Sequence, residues 1–228
     1  EDVTLSSIIS KIKTGTYHDS INAIRIAKGM GKPERADHLK KELLAFTPSA
    51  TFKDGRKKEL LTAYSGFVHL DFDKLTPEEL QQAFDLAVKI PFTYACFTSP
   101  SGDGLKVFIK INTLEKQHEP AYKQVQAYYE KEINIEADPK CKDITRLCFV
   151  SDDTNAFLNE SASTFNIALQ EQAPLSEALF EQAQKSFNTI FDECVSFTNN
   201  ILTYNNGNRN NYIYQLACNC NRRGIPQS

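Results

Sequence analysis

The sequence predicts an α+β fold in which a mixed or antiparallel sheet carries helices on one face. Two segments, VHLDFDKL at 68–75 and LKVFIKI at 105–111, alternate between apolar and polar residues as half-buried strands do. Helical segments at 76–90 and 119–133 each follow one of these strands. The order β-α-β-turn-β-α-β over residues 67–151 predicts helices against one face and leaves the other face free for chemistry.

The helix after the first strand has the clearest start. Thr76 is a suitable N-cap, Pro77 suits the first helical position, and Glu79 completes a capping box. The FTYACFT run at 92–98 predicts the next strand, and SPSGDG at 99–104 predicts a turn before the strand that follows.

The remainder of the chain divides by composition. RLCFVS at 146–151 predicts the last strand of the core, and the polar stretch around 160–180 is typical of a linker. We expect a helical segment at 1–55, a core at 56–168 that includes part of it, and a small all-helical segment at 169–228. The apolar stripe predicted for the last helix comprises Tyr212, Ile213, Leu216, Ala217 and Cys220.

Composition excludes several classes of protein. A net charge of −3 argues against a protein coated in positive charge, although a local basic groove is compatible with it. The sequence contains no apolar run of 18 residues, so we expect no transmembrane helix and no membrane partner. The six cysteines form no CxxC and no zinc-binding spacing, which predicts free thiols in a reducing cytoplasm.

Asp71 and Asp73 are the first candidates for chemistry. Alternation places both carboxylates on one strand face, with Cα atoms about 6.6 Å apart. Hard oxygen ligands at that separation suit Mg²⁺ or Mn²⁺, and a bound metal can in turn bind phosphate oxygens. The alternative is the solvated side of an ordinary strand.

The SPSGDGLKV segment is the second candidate. Its glycines make a flexible loop whose backbone N–H groups can cradle phosphate, and Lys106 and Lys110 then project from one strand face. The alternative is a plain hairpin turn with solvated lysines.

Two further segments carry charges that suit phosphate or metal. In EADPKCKDITRLCFVSDD, Asp138 or Asp143 would supply a third carboxylate and Arg146 a cation, unless this is only a charged loop. Arg209 precedes the last predicted helix, where it can meet a phosphate at the helix N-terminus or simply cap and pack.

The three motifs together resemble the archaeo-eukaryotic primase superfamily, and most closely the VirE N-terminal, or BT4734-like, domains of bacterial mobile-element proteins. HLDFDKL is similar to the hDhD motif of that superfamily, and SPSGDGLKVFI is similar to its SxSGxGxHhhh motif. Lys106 stands where the wider superfamily has histidine. ADPKCKDITRLCFVS is similar to the third motif, with its acid at Asp138 and with Arg146 and Ser151 downstream.

The resemblance implies an RRM-like sheet and DNA-templated nucleotidyl transfer. Asp71, Asp73 and Asp138 would be catalytic and would bind two Mg²⁺ or Mn²⁺ ions. DNA template and nucleotide triphosphates would be the partners, in the bacterial cytoplasm. The phosphates would be held by Ser99, Ser101, Gly102, Gly104, Lys106, Arg146 and Ser151, with Lys110 and Arg209 as further nucleic-acid contacts.

The tail NGNRNNYIYQLACNCNRRGIP resembles the opening of a small helical domain that follows many bacterial primase-polymerase domains. We therefore expect the chain to be part of a longer protein, with a helicase-like ATPase fused or associated. Two alternatives to a primase-polymerase remain: a catalytically weak or inactive nucleic-acid or nucleotide-binding module on the same fold, and a metal-dependent nuclease.

Overall fold

The computed structural model describes residues 2–168 and 177–223, which belong to two compact units, Glu1–Leu169 and Gln170–Ser228. The α+β class is confirmed. The helices are α1 Leu5–Lys13, α2 His18–Gly29, α3 Pro33–Lys41, α4 Pro77–Ala87, α5 His118–Ile133, α6 Glu177–Ile201 and α7 Arg209–Arg222. The strands are β1 Ala45–Phe46, β2 Ala50–Phe52, β3 Leu61–Tyr64, β4 Phe67–Phe72, β5 Thr93–Thr98, β6 Leu105–Lys110, β7 Cys148–Phe149 and β8 Phe157–Leu158.

The central sheet of the first unit has four strands in the order β4-β6-β5-β8, and every neighbouring pair is antiparallel. Helices α4 and α5 pack on one face, as the sequence predicts. Alternate residues of β4 and β6 point into this core, which also contains Ala83 and Ala87 from α4 and Tyr122, Val125 and Tyr129 from α5. The capping box of α4 is present, because the Thr76 amide donates to Glu79 Oε2 at 2.8 Å and the Glu79 amide donates to Thr76 Oγ1 at 3.2 Å.

The second face of the sheet is covered, so the prediction that it is free for chemistry is wrong. Phe97 and Phe108 project from this face and are fully buried in a second apolar cluster. Helix α1 supplies Ile8, Ile9 and Ile12 to that cluster. The physical reason is that aromatic side chains on both faces of a sheet need an apolar cover on both faces.

The strand predicted at 146–151 is also wrong in its extent and its partner. Only Cys148–Phe149 is extended in a ladder, and it pairs with β1 rather than with the central sheet. Ser151 Oγ donates to the Thr98 carbonyl at 2.6 Å, and the Thr98 amide donates to Asp153 Oδ2 at 2.7 Å. Because side chains satisfy both backbone groups of Thr98, no ladder continues there, and β8 takes the edge beside β5 instead.

The second unit contains α6 and α7 packed on each other. Tyr212 donates its hydroxyl to Asn199 Oδ1 at 2.7 Å, and Asn219 Nδ2 donates to Thr198 Oγ1 at 3.0 Å. Ile213 is 49% exposed, so its predicted place in the buried stripe of α7 is wrong.

Two further features of the chain are the state of its cysteines and the character of its helices. All six cysteines are free thiols, as the sequence predicts. Within the described ranges, no helix combines the length and the apolar character that crossing a membrane requires.

Candidate functional site

The three sequence motifs meet at one end of the central sheet. Asp71 and Lys106 are direct partners on β4 and β6. The Asp138 amide donates to the Asp71 carbonyl at 2.8 Å, which fixes the third motif against the end of β4. Arg146 Nη2 donates to Asp138 Oδ2 at 3.0 Å. Residues far apart in sequence therefore meet at this end of the sheet, where Asp71 pairs with Lys106 and Asp138 pairs with Arg146.

Asp71 and Lys106 form a buried ion pair, with Lys106 Nζ 2.5 Å from Asp71 Oδ2. Their side chains are only 10% and 6% exposed. Burial alone would raise the pKa of Asp71, but the charge and the hydrogen bond of Lys106 hold that pKa below its ordinary value. Burial opposes the charged form of Lys106 in turn, and the Asp71 carboxylate helps to keep its pKa above the ordinary value. Both groups are thus ionised at neutral pH.

Asp73 follows the end of β4 and is exposed. Partial burial and the neighbouring charge of Asp71 raise the pKa of Asp73 above its ordinary value. Gly104 lies beside it: a Cβ atom there would stand 2.7 Å from the Phe72 carbonyl oxygen and 3.0 Å from Asp73 Oδ1. Glycine at position 104 is therefore required for the loop to approach the end of β4.

His69, Asp71 and Cys141 form a buried group that could hold a metal ion. Their ligand atoms all lie within 4.8 Å of one another, and Cys141 Sγ is 3.4 Å from His69 Nε2. Asp71 Oδ1 is buried and has no hydrogen-bond partner among the described residues. Asp73 and Asp138 fall outside this group, so its ligand set differs from the three carboxylates that the sequence predicts.

The protonation states of this group decide what it can bind. Burial lowers the pKa of His69 to about 3, so the imidazole is neutral and can act as a ligand. Burial raises the pKa of the Cys141 thiol to about 12. A metal ion bound to Cys141 would therefore have to displace a proton from sulfur.

The loop at 99–104 is held by side chains from helix α2. Arg25 donates from Nη2 to the carbonyl of Ser99 at 3.3 Å and from Nε to that of Pro100 at 3.3 Å. Lys28 donates to the Ser101 carbonyl at 3.2 Å and pairs with Asp103 Oδ2 at 2.6 Å. The loop carbonyls are thus tied to α2.

Within this loop, Gly102 has a φ of +78°, which favours glycine. Its amide donates to the Ser99 carbonyl at 3.0 Å, and the Ser99 amide donates to the Gly104 carbonyl at 2.7 Å. Ser99 is buried, whereas Ser101 is half-buried.

The remaining predicted residues are Ser151 and Lys110 in the first unit and Arg209 in the second. Ser151 is fully buried and bonds to β5 through Thr98. Lys110 lies four residues along β6 from Lys106, about 13 Å away, and its ammonium is 5.6 Å from the centre of the Tyr94 ring. Arg209 is exposed at the start of α7 in the second unit.

Asp143, the competing acid, bonds instead to Thr145. Its Oδ1 accepts from the Thr145 amide and from the Thr145 hydroxyl, both at 3.0 Å. These bonds hold the pKa of Asp143 below its ordinary value, although partial burial opposes the shift. Of the two candidate acids, it is Asp138 that adjoins Asp71 through the backbone.

Sequence reasoning missed several residues that the fold brings to this site. His69 could have been found, because alternation places it on the same strand face as Asp71. Cys141, Arg25 and Lys40 gave no such signal, since none belongs to a motif of recognisable spacing. The positive charge of Lys40 lowers the pKa of Asp71, so this α3 side chain contributes to the field around the acids.

Comparison with known proteins identifies the family. The family model of the BT4734-like, N-terminal domain matches residues 38–158, which is more than half of the chain. No curated protein and no solved structure matches the chain. The match includes all three motifs described above, from Asp71 to Arg146. The chain therefore belongs to the family of BT4734-like N-terminal domains.

Proposed function

We propose that this chain is a DNA primase-polymerase domain that transfers nucleotides with a divalent metal ion as cofactor. The observation that carries the proposal is the backbone bond from the Asp138 amide to the Asp71 carbonyl, which brings the acids of the first and third motifs to one end of the sheet. Asp73 follows Asp71 by two residues and has its pKa raised by partial burial and the Asp71 charge. A cluster of acids whose charges repel favours a bound cation.

The side chains fit such a cation. Asp71 Oδ1 is buried without a partner, which costs free energy unless a donor or a metal ion approaches it. Carboxylate oxygens of Asp71, Asp73 and Asp138 are the hard ligands that Mg²⁺ and Mn²⁺ prefer. When bound, the metal would supply positive charge to the phosphate oxygens of a nucleotide triphosphate.

The cations of the site have distinct roles in this proposal. Lys106 keeps the Asp71 carboxylate ionised and fixed, because it is buried against Asp71 Oδ2. Arg146 orients Asp138 through one N–H and is 39% exposed, so its other donors can reach a triphosphate. Arg25 holds the loop at 99–104 through its carbonyls. The Ser99 and Gly102 amides are bonded within the loop, so the amides of Ser101, Asp103 and Gly104 are the candidate phosphate donors.

A second function is favoured by the ion pair itself. Lys106 already neutralises Asp71, so a metal ion at Asp71 must share the carboxylate with a buried ammonium. A module that binds nucleotide or nucleic acid without catalysis would keep this pair intact. DNA, nucleotide triphosphates and a helicase-like ATPase in the bacterial cytoplasm are the partners proposed for either function.

Primer extension with Mn²⁺ and Mg²⁺ on a DNA template tests the proposal. Asp73→Asn should abolish incorporation, whereas Asp85→Asn, which removes an exposed carboxylate from α4, should leave it unchanged. If the protein binds template or nucleotide but incorporates no nucleotide with either Mn²⁺ or Mg²⁺, the binding module is favoured. Cleavage of DNA in the absence of nucleotides, lost in Asp73→Asn, would indicate a nuclease instead.

A further inference from the structure

A cavity of the first unit combines lysines with a buried histidine, His118, whose Nε2 atom lacks a hydrogen-bond partner among the described residues. It has a volume of about 270 Å³ and lies between β3 and the start of α5. Its lining includes Lys58, Lys116, Lys142, His118, Leu61 and Ile144. None of these residues belongs to the acid cluster around Asp71. The cavity and the buried group around Asp71 are adjacent in sequence: Lys142 of the lining follows Cys141 of that group in one short 3₁₀ helix, Pro139–Lys142.

His118 is the group that points to a ligand. It is 3% exposed, and its Nε2 atom is buried without a hydrogen-bond partner among the described residues. The other ring nitrogen, Nδ1, is 2.9 Å from the Tyr64 hydroxyl. Burial raises the pKa of Tyr64 to about 12, so this hydroxyl keeps its proton and can donate it to Nδ1. Burial lowers the pKa of His118 to about 4, so the imidazole is neutral. When Tyr64 donates to Nδ1, the ring carries its own proton on Nε2, where it requires an acceptor.

The charges around His118 favour an anionic acceptor. Within the described part of the chain, neither Lys58 nor Lys116 forms a salt bridge. Lys142 is paired with Glu119 at 3.1 Å, but Glu119 is shared with Lys123 at the same distance. The lining thus contains unpaired ammonium groups.

The lining contains three lysines and two glutamates, Glu115 and Glu119, and so has one more positive than negative charge. Asp143 also interacts electrostatically with His118 and with Lys58. Leu61 and Ile144 supply an apolar wall. A small oxyanion with several acceptor atoms matches this set of donors better than a neutral ligand.

We propose that this cavity binds a phosphate group, with His118 Nε2–H and the ammonium groups of Lys58 and Lys116 as donors. The phosphate could belong to a free nucleotide or to the end of a DNA strand, and the same donors would bind either. The inference does not depend on nucleotidyl transfer at Asp71, because a binding module would use the same cavity.

Titration with inorganic phosphate and pyrophosphate, followed by calorimetry and by the ¹⁵N signals of His118, tests the proposal on the whole chain. Phosphate should shift the Nε2 signal of His118, and the Lys58→Gln/Lys116→Gln double variant should bind at least about tenfold more weakly. Lys131→Gln is the matched control, since it removes an exposed ammonium from α5 outside the lining and should change affinity less than about twofold.

Two results would overturn the proposal: equal affinity of the double variant and the wild type, or no phosphate-dependent shift at His118. Because the substituted lysines are exposed, we expect the variants to fold, and circular dichroism checks that they do. A nucleotide triphosphate and a 5′-phosphorylated oligonucleotide then distinguish the two sources. Weaker binding of either one by the double variant supports the site, and unchanged binding of both contradicts it. Loss of primer extension in Asp73→Asn with phosphate binding intact would separate this site from the proposed catalytic one.

Discussion

Replacement of Lys106 by methionine should destabilise the first unit strongly at neutral pH. Methionine keeps most of the apolar stem but leaves the Asp71 carboxylate buried, 10% exposed and without its cation. Breaking a buried ion pair in this way costs about 3–5 kcal/mol of unfolding free energy. The Asp71→Leu/Lys106→Met double variant removes both charges and should recover most of that loss, because an apolar pair of similar volume is often neutral or stabilising.

The pH dependence of the unfolding free energy is an independent test of the same ion pair. In the wild type, the folded-state pKa of Asp71 is below its ordinary 3.8 and that of Lys106 is above 10.5. The pair therefore contributes its full stability between those values and loses it as pH falls through the folded pKa of Asp71 or rises through that of Lys106. In Lys106→Met, burial without the ammonium would raise the pKa of Asp71, so the deficit relative to wild type should shrink between pH 7 and pH 4.

Guanidinium unfolding followed by far-UV circular dichroism measures the free energies, and hydrogen exchange of the β4 amides assigns the change to this sheet. The reasoning would be refuted if Lys106→Met lay within about 1 kcal/mol of wild type at pH 7. A double variant less stable than the single one, or a deficit that does not change with pH, would refute it equally.

Three further predictions concern the surroundings of the acids. Gly104→Ala should lower the free energy of unfolding by about 1–3 kcal/mol, because the new Cβ atom would meet the backbone. Gly29→Ala is the control: its Cβ atom would meet nothing within 4 Å. In unfolding experiments this control should be neutral or stabilising by up to about 1 kcal/mol. Arg25→Ala removes three hydrogen bonds to carbonyls, so hydrogen exchange at 99–104 should be at least about tenfold faster, and unchanged exchange would contradict the role of α2. Co²⁺ bound to the buried group should give a sulfur charge-transfer band that Cys141→Ser abolishes, and a band that persists would exclude Cys141 as a ligand.

Local signals in the sequence predicted the elements that depend on neighbouring residues. The alternation of 68–75 and 105–111 predicted β4 and β6, and the Thr76–Glu79 capping box predicted where α4 begins. The family resemblance implied that Asp71 and Asp138 belong to one site, and the Asp138 amide donates to the Asp71 carbonyl; a metal ion shared by their carboxylates stays a prediction.

What the sequence did not predict depends on contacts between distant segments. The pairing of Asp71 with Lys106 depends on the register between β4 and β6, which are separated by α4 and β5. The cover on the second face depends on where α1 docks, although Ile8, Ile9 and Ile12 have helical spacing. The limit of the predicted strand at 146–151 depends on two side chains, Ser151 and Asp153, that bond to the Thr98 backbone in place of a ladder.

Anomalous diffraction from crystals soaked with Mn²⁺ and a nucleotide triphosphate tests the central claim most directly. We predict manganese bound by Asp71, Asp73 and Asp138 with the triphosphate beside Arg146. Manganese absent from these carboxylates, with the Lys106–Asp71 pair unchanged and the nucleotide bound elsewhere, would contradict the claim that this site transfers nucleotides.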